Sequence, residues 1–352
     1  LYGTSLDIQK QQNSVFSGSP MTQTGWTHQY RTALQWGLAV LCVFGVGWYF
    51  YRHRQDLELF LSLRPSTILV LLVLFTVHLW LYSLQFYFVL RQCAGRQFPF
   101  LIFFKTIILG RFLSSIAPQA GAIYRAVYLK RTFDISYTRY LSGFFCFLWI
   151  DAAMNILLSA GVFAWYEPGF RIGSISVWWI LAAMAAGWFL PIFFEMLFGR
   201  ISFQIRWLAW LHSRVSELLH AAVLSLSNRR MLGVVMAVNT VNFINNILIF
   251  YLCLSVTAQR ITVPVTAVFF ILLKLSSYII LTPGNLGIRE LAYGFLSQQL
   301  GLTAGAGIVL SVFYRLFGMI TVSLFGIYFG GLKLLGQNKR ADNPKGKDRG
   351  VL

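Results

Sequence analysis

Apolar runs of near bilayer-spanning length recur along this chain, and that recurrence limits the fold more than any other feature. A helix that crosses the hydrocarbon core of a membrane needs about 20 mostly apolar residues. Ala33 to Tyr51, Thr67 to Leu90, Tyr140 to Trp165, Ser176 to Phe198, Met231 to Leu254 and Ala304 to Leu332 fit that requirement. Lipid offers no hydrogen bonds to the backbone, so each run must satisfy its own N–H and C=O groups as a helix. Of the 352 residues, 57% are hydrophobic and 11% are charged, whereas soluble domains average about a quarter charged. The expected fold is an all-α polytopic membrane helix bundle with six full spans.

Two more apolar stretches are interrupted. Val265 to Thr282 and Leu286 to Leu300 flank Pro283-Gly284-Asn285, and Pro99 to Ala117 and Ala122 to Arg131 flank Pro118. Proline removes a backbone donor and stops a helix. Gly284, Asn285 and Gly287 accept a positive φ, so the chain can turn sharply there. Each stretch reads as a broken, re-entrant helix hairpin, tolerated at membrane depth only where protein or a cavity surrounds the break. The two breaks share a plan. Lys105, Ser114-Ser115, Pro118, Gly121 and Arg125 match Lys274, Ser276-Ser277, Pro283, Gly287 and Arg289. Such a pair points to an inverted repeat of the transporter kind; two unrelated helix-stopping prolines are the other reading. Freed helix-end N–H groups attract anions.

The formal net charge of +18 brings nucleic acid to mind. The basic residues, however, lie in loops between apolar runs, as the positive-inside rule and anionic lipid headgroups both favour. Nucleic acid is therefore not an expected partner. The charge pattern puts both termini in the cytoplasm, with the two hairpins entering from opposite faces of the plasma or inner membrane. Residues 1–32 read as a disordered polar arm, 33–335 as one transmembrane domain and 336–352 as a basic disordered tail. Within the domain, 200–227 reads either as an amphipathic cytoplasmic segment or as an ordinary connector. Met21 is a candidate natural start, and no signal-peptide cleavage site follows the first apolar run. Cys42, Cys93, Cys146 and Cys253 have no CxxC spacing, so neither a disulfide framework nor a metal site is expected.

Ionisable residues inside spans are costly and mark function by default. Asp151 lies four residues before Asn155, on one helix face, and should face the bundle and pair with a cation. Asn239, Asn242 and Asn246 form a stripe with Asn245 beside it; interhelical bonding and the lining of a substrate groove both remain open. His78 sits alone in its span and reads as a packing residue. Arg111, Arg125, Arg289 and Arg315 stand near the two breaks, and the guanidinium fork suits phosphate. Asp151 and Glu290 would hold the arginines when no ligand is present. Pro118, Gly121, Pro283, Gly284, Asn285 and Gly287 would shape the two tips.

Thr282-Pro283-Gly284-Asn285-Leu286-Gly287-Ile288-Arg289-Glu290 resembles the T-P-G-G-L-G-x-R-E motif of the lysylphosphatidylglycerol synthase transmembrane-domain family, the flippase-like membrane proteins. Gly121 with Arg125-Ala126-Val127-Tyr128-Leu129-Lys130-Arg131 is similar to its G-x-x-x-R-A-x-Y-L-K-R, and Tyr314-Arg315-Leu316 adds a third match. The similarity covers nearly all of Ala33 to Leu335. Asn285 replaces a family glycine, and Ala122 stands where many members have Glu or Asp, so the first break lacks its acid. The resemblance implies a lipid-translocating or lipid-precursor-handling role. The expected function is a flippase or transporter for an anionic phospholipid or lipid-linked precursor, acting in the lipid bilayer. The alternative is a non-transporting membrane partner of envelope or polysaccharide enzymes. An enzyme is not expected, for there is no P-loop, HExxH or nucleophile elbow and no polar region long enough for a catalytic domain. No cofactor or metal is expected, and a homo-oligomer is compatible with this reading.

Overall fold

The computed structural model describes residues 64–116, 119–166, 168–198, 228–255, 262–276 and 288–330. The predicted span at 33–51, the segment at 200–227 and both terminal regions lie outside them. Among the described residues the chain forms nine helices: α1 (Pro65–Ala94), α2 (Phe100–Ile116), α3 (Ala120–Phe133), α4 (Tyr137–Tyr166), α5 (Val177–Phe198), α6 (Arg229–Ser255), α7 (Val263–Ser276), α8 (Ile288–Gln299) and α9 (Ala304–Tyr328). Two short antiparallel strands, β1 (Arg171–Ile172) and β2 (Ile175–Ser176), join α4 to α5. The fold is otherwise helical, as the unbroken apolar runs require.

α1, α4, α6 and α9 are long and apolar enough to cross a membrane. They account for four of the six predicted spans. In α5 the stretch Val177–Phe189 is apolar but shorter. Local sequence sets the ends of these helices. Pro65 opens α1, where its missing N–H costs nothing, and Gly95 closes it in the left-handed conformation. Thr303 caps α9 by accepting a hydrogen bond from the Ala306 N–H at 3.2 Å.

Contacts between helix ends fix how the elements stand. Asn228 donates to Gln92 at 3.2 Å and Arg139 to the Ala94 carbonyl at 3.3 Å, so α1 ends where α4 and α6 begin. Exposed Arg96, Lys130, Arg131, Arg139, Arg229 and Arg230 gather at this basic end. α2 and α3 form an antiparallel hairpin rooted there. Phe98 meets Phe133 at 5.3 Å between ring centroids, and Arg96 pairs with Asp134 at 3.1 Å. Near the tip, a Cβ on Gly121 would overlap the Gly110 carbonyl, so only glycine allows this approach. Gln119 turns the chain between the arms with φ of 71°.

The α7 and α8 segments root at the opposite end. α8 folds back on α9 through Ser297, whose hydroxyl donates to the Thr303 carbonyl at 2.8 Å. Gly307 packs against the Tyr293 backbone so closely that a side chain would collide with it. Two apolar clusters follow from this arrangement. Phe86, Leu90, Phe103, Leu129, Phe147 and Met231 fill the basic end, and Phe163, Leu181, Phe250, Phe269, Tyr293 and Phe313 fill the other. Lipid is as apolar as these side chains, so close packing rather than escape from water holds them together. Leu69, Val73, Leu148, Leu157, Val241, Leu248 and Leu324 are exposed on the outer faces, and Trp165, Trp179 and Tyr328 are exposed near helix ends. Apolar outer faces with aromatic rims are what a bilayer demands.

A polar cavity between two apolar clusters

Between the two clusters lies a cavity of about 220 Å³. Arg111, Asp151, Lys274, His78, Tyr82, Tyr293, Tyr314 and four asparagines line it, at 155, 239, 242 and 246. These residues come from seven helices. At 1.5 Å of rise per residue, His78, Asp151 and Asn242 lie about 20 Å from the starts of α1, α4 and α6. Arg111 and Lys274 come from the late turns of α2 and α7. α2 and α7 therefore deliver these cations to the middle of the long helices.

The Lys274 ammonium and an Asp151 carboxylate oxygen are 3.2 Å apart, and both side chains are largely shielded. Asn239 donates to the other carboxylate oxygen at 3.1 Å. Asn155 donates to the Asp151 carbonyl at 2.6 Å, one turn along α4. A charge pair this far from water requires such supporting bonds. A second network runs beside it. The Tyr314 hydroxyl donates to Asn246 Oδ1 at 3.1 Å, and Asn246 Nδ2 donates to the Asn242 carbonyl at 2.7 Å. Asn242 Oδ1 stands 2.9 Å from His78 Nδ1. Asn245 turns aside and donates to the Leu74 carbonyl at 3.1 Å, binding α6 to α1. The asparagine stripe thus does both jobs: three members line the cavity, and all four bond to a neighbouring helix.

Arg111 is held differently. Its guanidinium lies over the Tyr82 ring, 4.1 Å from the centroid. Among the described residues no carboxylate is within ion-pair distance of it. It also lines a second cavity of about 340 Å³, together with His78, Tyr314, Ser114, Ser115, Arg315 and an apolar wall of Phe75, Leu79, Gly318, Met319 and Val322. Arg111, His78 and Tyr314 therefore form the boundary between the two spaces.

The structure thus brings together Arg111, Asp151 and Arg315 of the candidates read from sequence. Arg125 lines neither cavity; its stem packs over Gly110, and its buried Nε has no hydrogen-bond partner among the described residues. Gly121 serves the close contact of the first hairpin. Arg289 and Glu290 stand in the first turn of α8; their side chains, with Pro118, Pro283, Gly284, Asn285 and Gly287, lie outside the described residues. Among the described residues the cation beside Asp151 is Lys274. Lys105, matched with Lys274 in the repeat, is exposed and lines neither cavity. Arg111 takes that place, and a sequence signal exists: Arg111 and Lys274 each precede a pair of serines within four residues. His78, Tyr82, Tyr293, Tyr314 and Lys274 are further site residues that sequence reasoning did not select. Among the described residues no three His, Cys, Asp or Glu stand together as metal ligands would.

Comparison with curated proteins and with solved structures finds no significant match. A family model described as the lysylphosphatidylglycerol synthase TM region matches residues 33–326. That range covers most of the chain and contains every helix named above except the last turn of α9, so this protein belongs to the lysylphosphatidylglycerol synthase transmembrane-region family.

Proposed function

We propose that this protein is a flippase or transporter for an anionic phospholipid or lipid-linked precursor in the cell membrane. The observation that carries the reading is Arg111. This cation stands at mid-bundle, on the boundary of two cavities, stacked on a tyrosine and with no carboxylate in reach among the described residues. A cation held this deep without an opposing charge costs free energy unless a ligand supplies one. A phosphate would do so through paired, charge-assisted hydrogen bonds.

The full arrangement has six spans and two re-entrant hairpins. α2, α3, α7 and α8 run about 18–26 Å at 1.5 Å per residue, shorter than the roughly 30 Å hydrocarbon core. Their roots at opposite ends of the bundle support entry from opposite faces and the inverted repeat. The basic end is cytoplasmic by the positive-inside rule, which puts both termini inside. We read the protein as a carrier rather than an enzyme.

The test is a proteoliposome assay in which a fluorescent anionic lipid in the outer leaflet is quenched by dithionite and its movement between leaflets is followed. Wild-type protein should raise the movement rate, and Arg111→Ala should lower it at least about tenfold, the loss expected from one charged hydrogen-bonded contact. Equal rates in empty liposomes and in liposomes with wild-type protein would leave the non-transporting partner of envelope enzymes as the better reading.

A further inference from the structure

One buried amide lines neither cavity. Gln85 on α1 is 1% exposed, and neither its oxygen nor its nitrogen has a hydrogen-bond partner among the described residues. A buried polar group left unmatched is costly, and native folds match nearly all of them.

The bonds on either side of Gln85 fix what it faces. α1 and α6 run antiparallel, with Leu74 bonded to Asn245, His78 to Asn242 and Gln92 to Asn228. Gln85 stands midway, seven residues from His78 and seven from Gln92. Seven residues are almost two full turns, so all three share one face of α1. The same spacing on α6 puts Val235 opposite Gln85. Val235 belongs to the apolar cluster of the basic end, with Phe86, Phe147 and Ile150, and a valine side chain offers an amide nothing. His78, however, reaches two positions one turn apart on α6: Asn242 at 2.9 Å and Asn246 at 3.2 Å. By the same spacing, the second position within reach of Gln85 is Asn239. Glutamine has three side-chain torsions with which to cover that turn.

Asn239 is engaged elsewhere in this structure: its Nδ2 donates to Asp151 Oδ1 at 3.1 Å. We infer that Asn239 is a two-position switch, bonded to Asp151 in the state seen here and to Gln85 in a second one. The exchange takes one donor from a mid-bundle carboxylate and gives it to α1. The condition of Asp151 is thereby felt along the contact between α1 and α6, an element with two discrete bonding arrangements. Gln85 is a positioning residue, matched in one state and stranded in the other. The inference holds whether or not the protein carries lipid.

The test makes one substitution in two backgrounds of the purified full chain and reads the melting temperature. In the wild-type chain Gln85→Leu removes an unmatched amide and should raise melting by about 2–4 °C. In Asp151→Leu with Lys274→Met, Asn239 loses that acceptor and turns to Gln85, so Gln85→Leu should lower melting by a similar amount. Adding Asn239→Ala to this background should abolish the loss. Should the double variant fold poorly, Asp151→Ala with Lys274→Ala supplies the same comparison. Equal shifts in the two backgrounds overturn the inference, whatever their sign. A shared gain means that Asn239 never reaches Gln85, and a shared loss means that Gln85 holds a fixed partner such as an ordered water. A loss that persists with Asn239→Ala overturns it as well.

Discussion

Arg111 and Lys274 occupy comparable places and live under different electrostatic terms. Each is a cation in the last turns of its helix, α2 or α7, and each is followed by two serines. Both line the same cavity. Lys274 meets a carboxylate at 3.2 Å, and that carboxylate is steadied by Asn239. Among the described residues Arg111 meets no carboxylate and lies over the face of a tyrosine. The lesson is one of division of labour. A neutralised cation locks α7 to α4, whereas a cation facing an aromatic ring keeps its hydrogen-bond donors for something else.

The largest expected effect tests the locked side. Lys274→Met removes the ammonium 3.2 Å from the largely shielded Asp151 carboxylate and should cost about 3 kcal/mol of stability, read as a marked fall in the melting temperature of the purified protein. Pairing it with Asp151→Leu should recover much of that loss, because two apolar groups carry no desolvation penalty. A double variant no more stable than the single one would break the comparison. Gly121→Ala should come next. Its methyl group would collide with the Gly110 carbonyl and splay α2 from α3, costing about 1–3 kcal/mol and moving Arg111 with it. Lipid movement should then fall together with stability.

Arg111→Met sharpens the comparison from the other side. It should change melting by less than Lys274→Met while lowering binding of anionic lipid by about 1.5–3 kcal/mol, the value of a charged hydrogen bond. Loss of stability equal to that of Lys274→Met would show that Arg111 is structural. Asn245→Ala should cost about 1 kcal/mol through its lost bond to Leu74 and leave lipid binding unchanged, since it does not line the cavity. The smallest effect belongs to Arg96→Ala. Its ion pair with Asp134 is solvent-exposed, and such pairs contribute about 0–1 kcal/mol.

Much of the bundle was legible in the residues. The spans around Thr67 to Leu90, Tyr140 to Trp165, Met231 to Leu254 and Ala304 onward return as α1, α4, α6 and α9 with ends moved by a few residues. Asp151 was singled out as an inward-facing acid because a lone carboxylate cannot face lipid, and it does face the bundle. From sequence alone His78 reads as packing, for nothing in the neighbouring residues distinguishes a histidine in a core from one in a cavity wall. Lys105 and Lys274 match in sequence because both sit in apolar runs; only the face of α2 on which Lys105 and Arg111 fall separates these two.

Local chemistry decides what the segments are. Unbroken apolar runs must become helices in lipid, prolines and glycines must end them, and basic loops must gather on one side. Those rules act within about twenty residues, and they bring membrane class, helix limits and family within reach of the chain alone. Partnership is another matter. Asn246 and His78 are 168 positions apart, and Asp151 meets a lysine from another helix entirely. Helical period assigns a side chain to a face, but which face meets which neighbour depends on how all seven helices around the cavity pack. Only that packing distinguished the paired cation from the one facing a tyrosine.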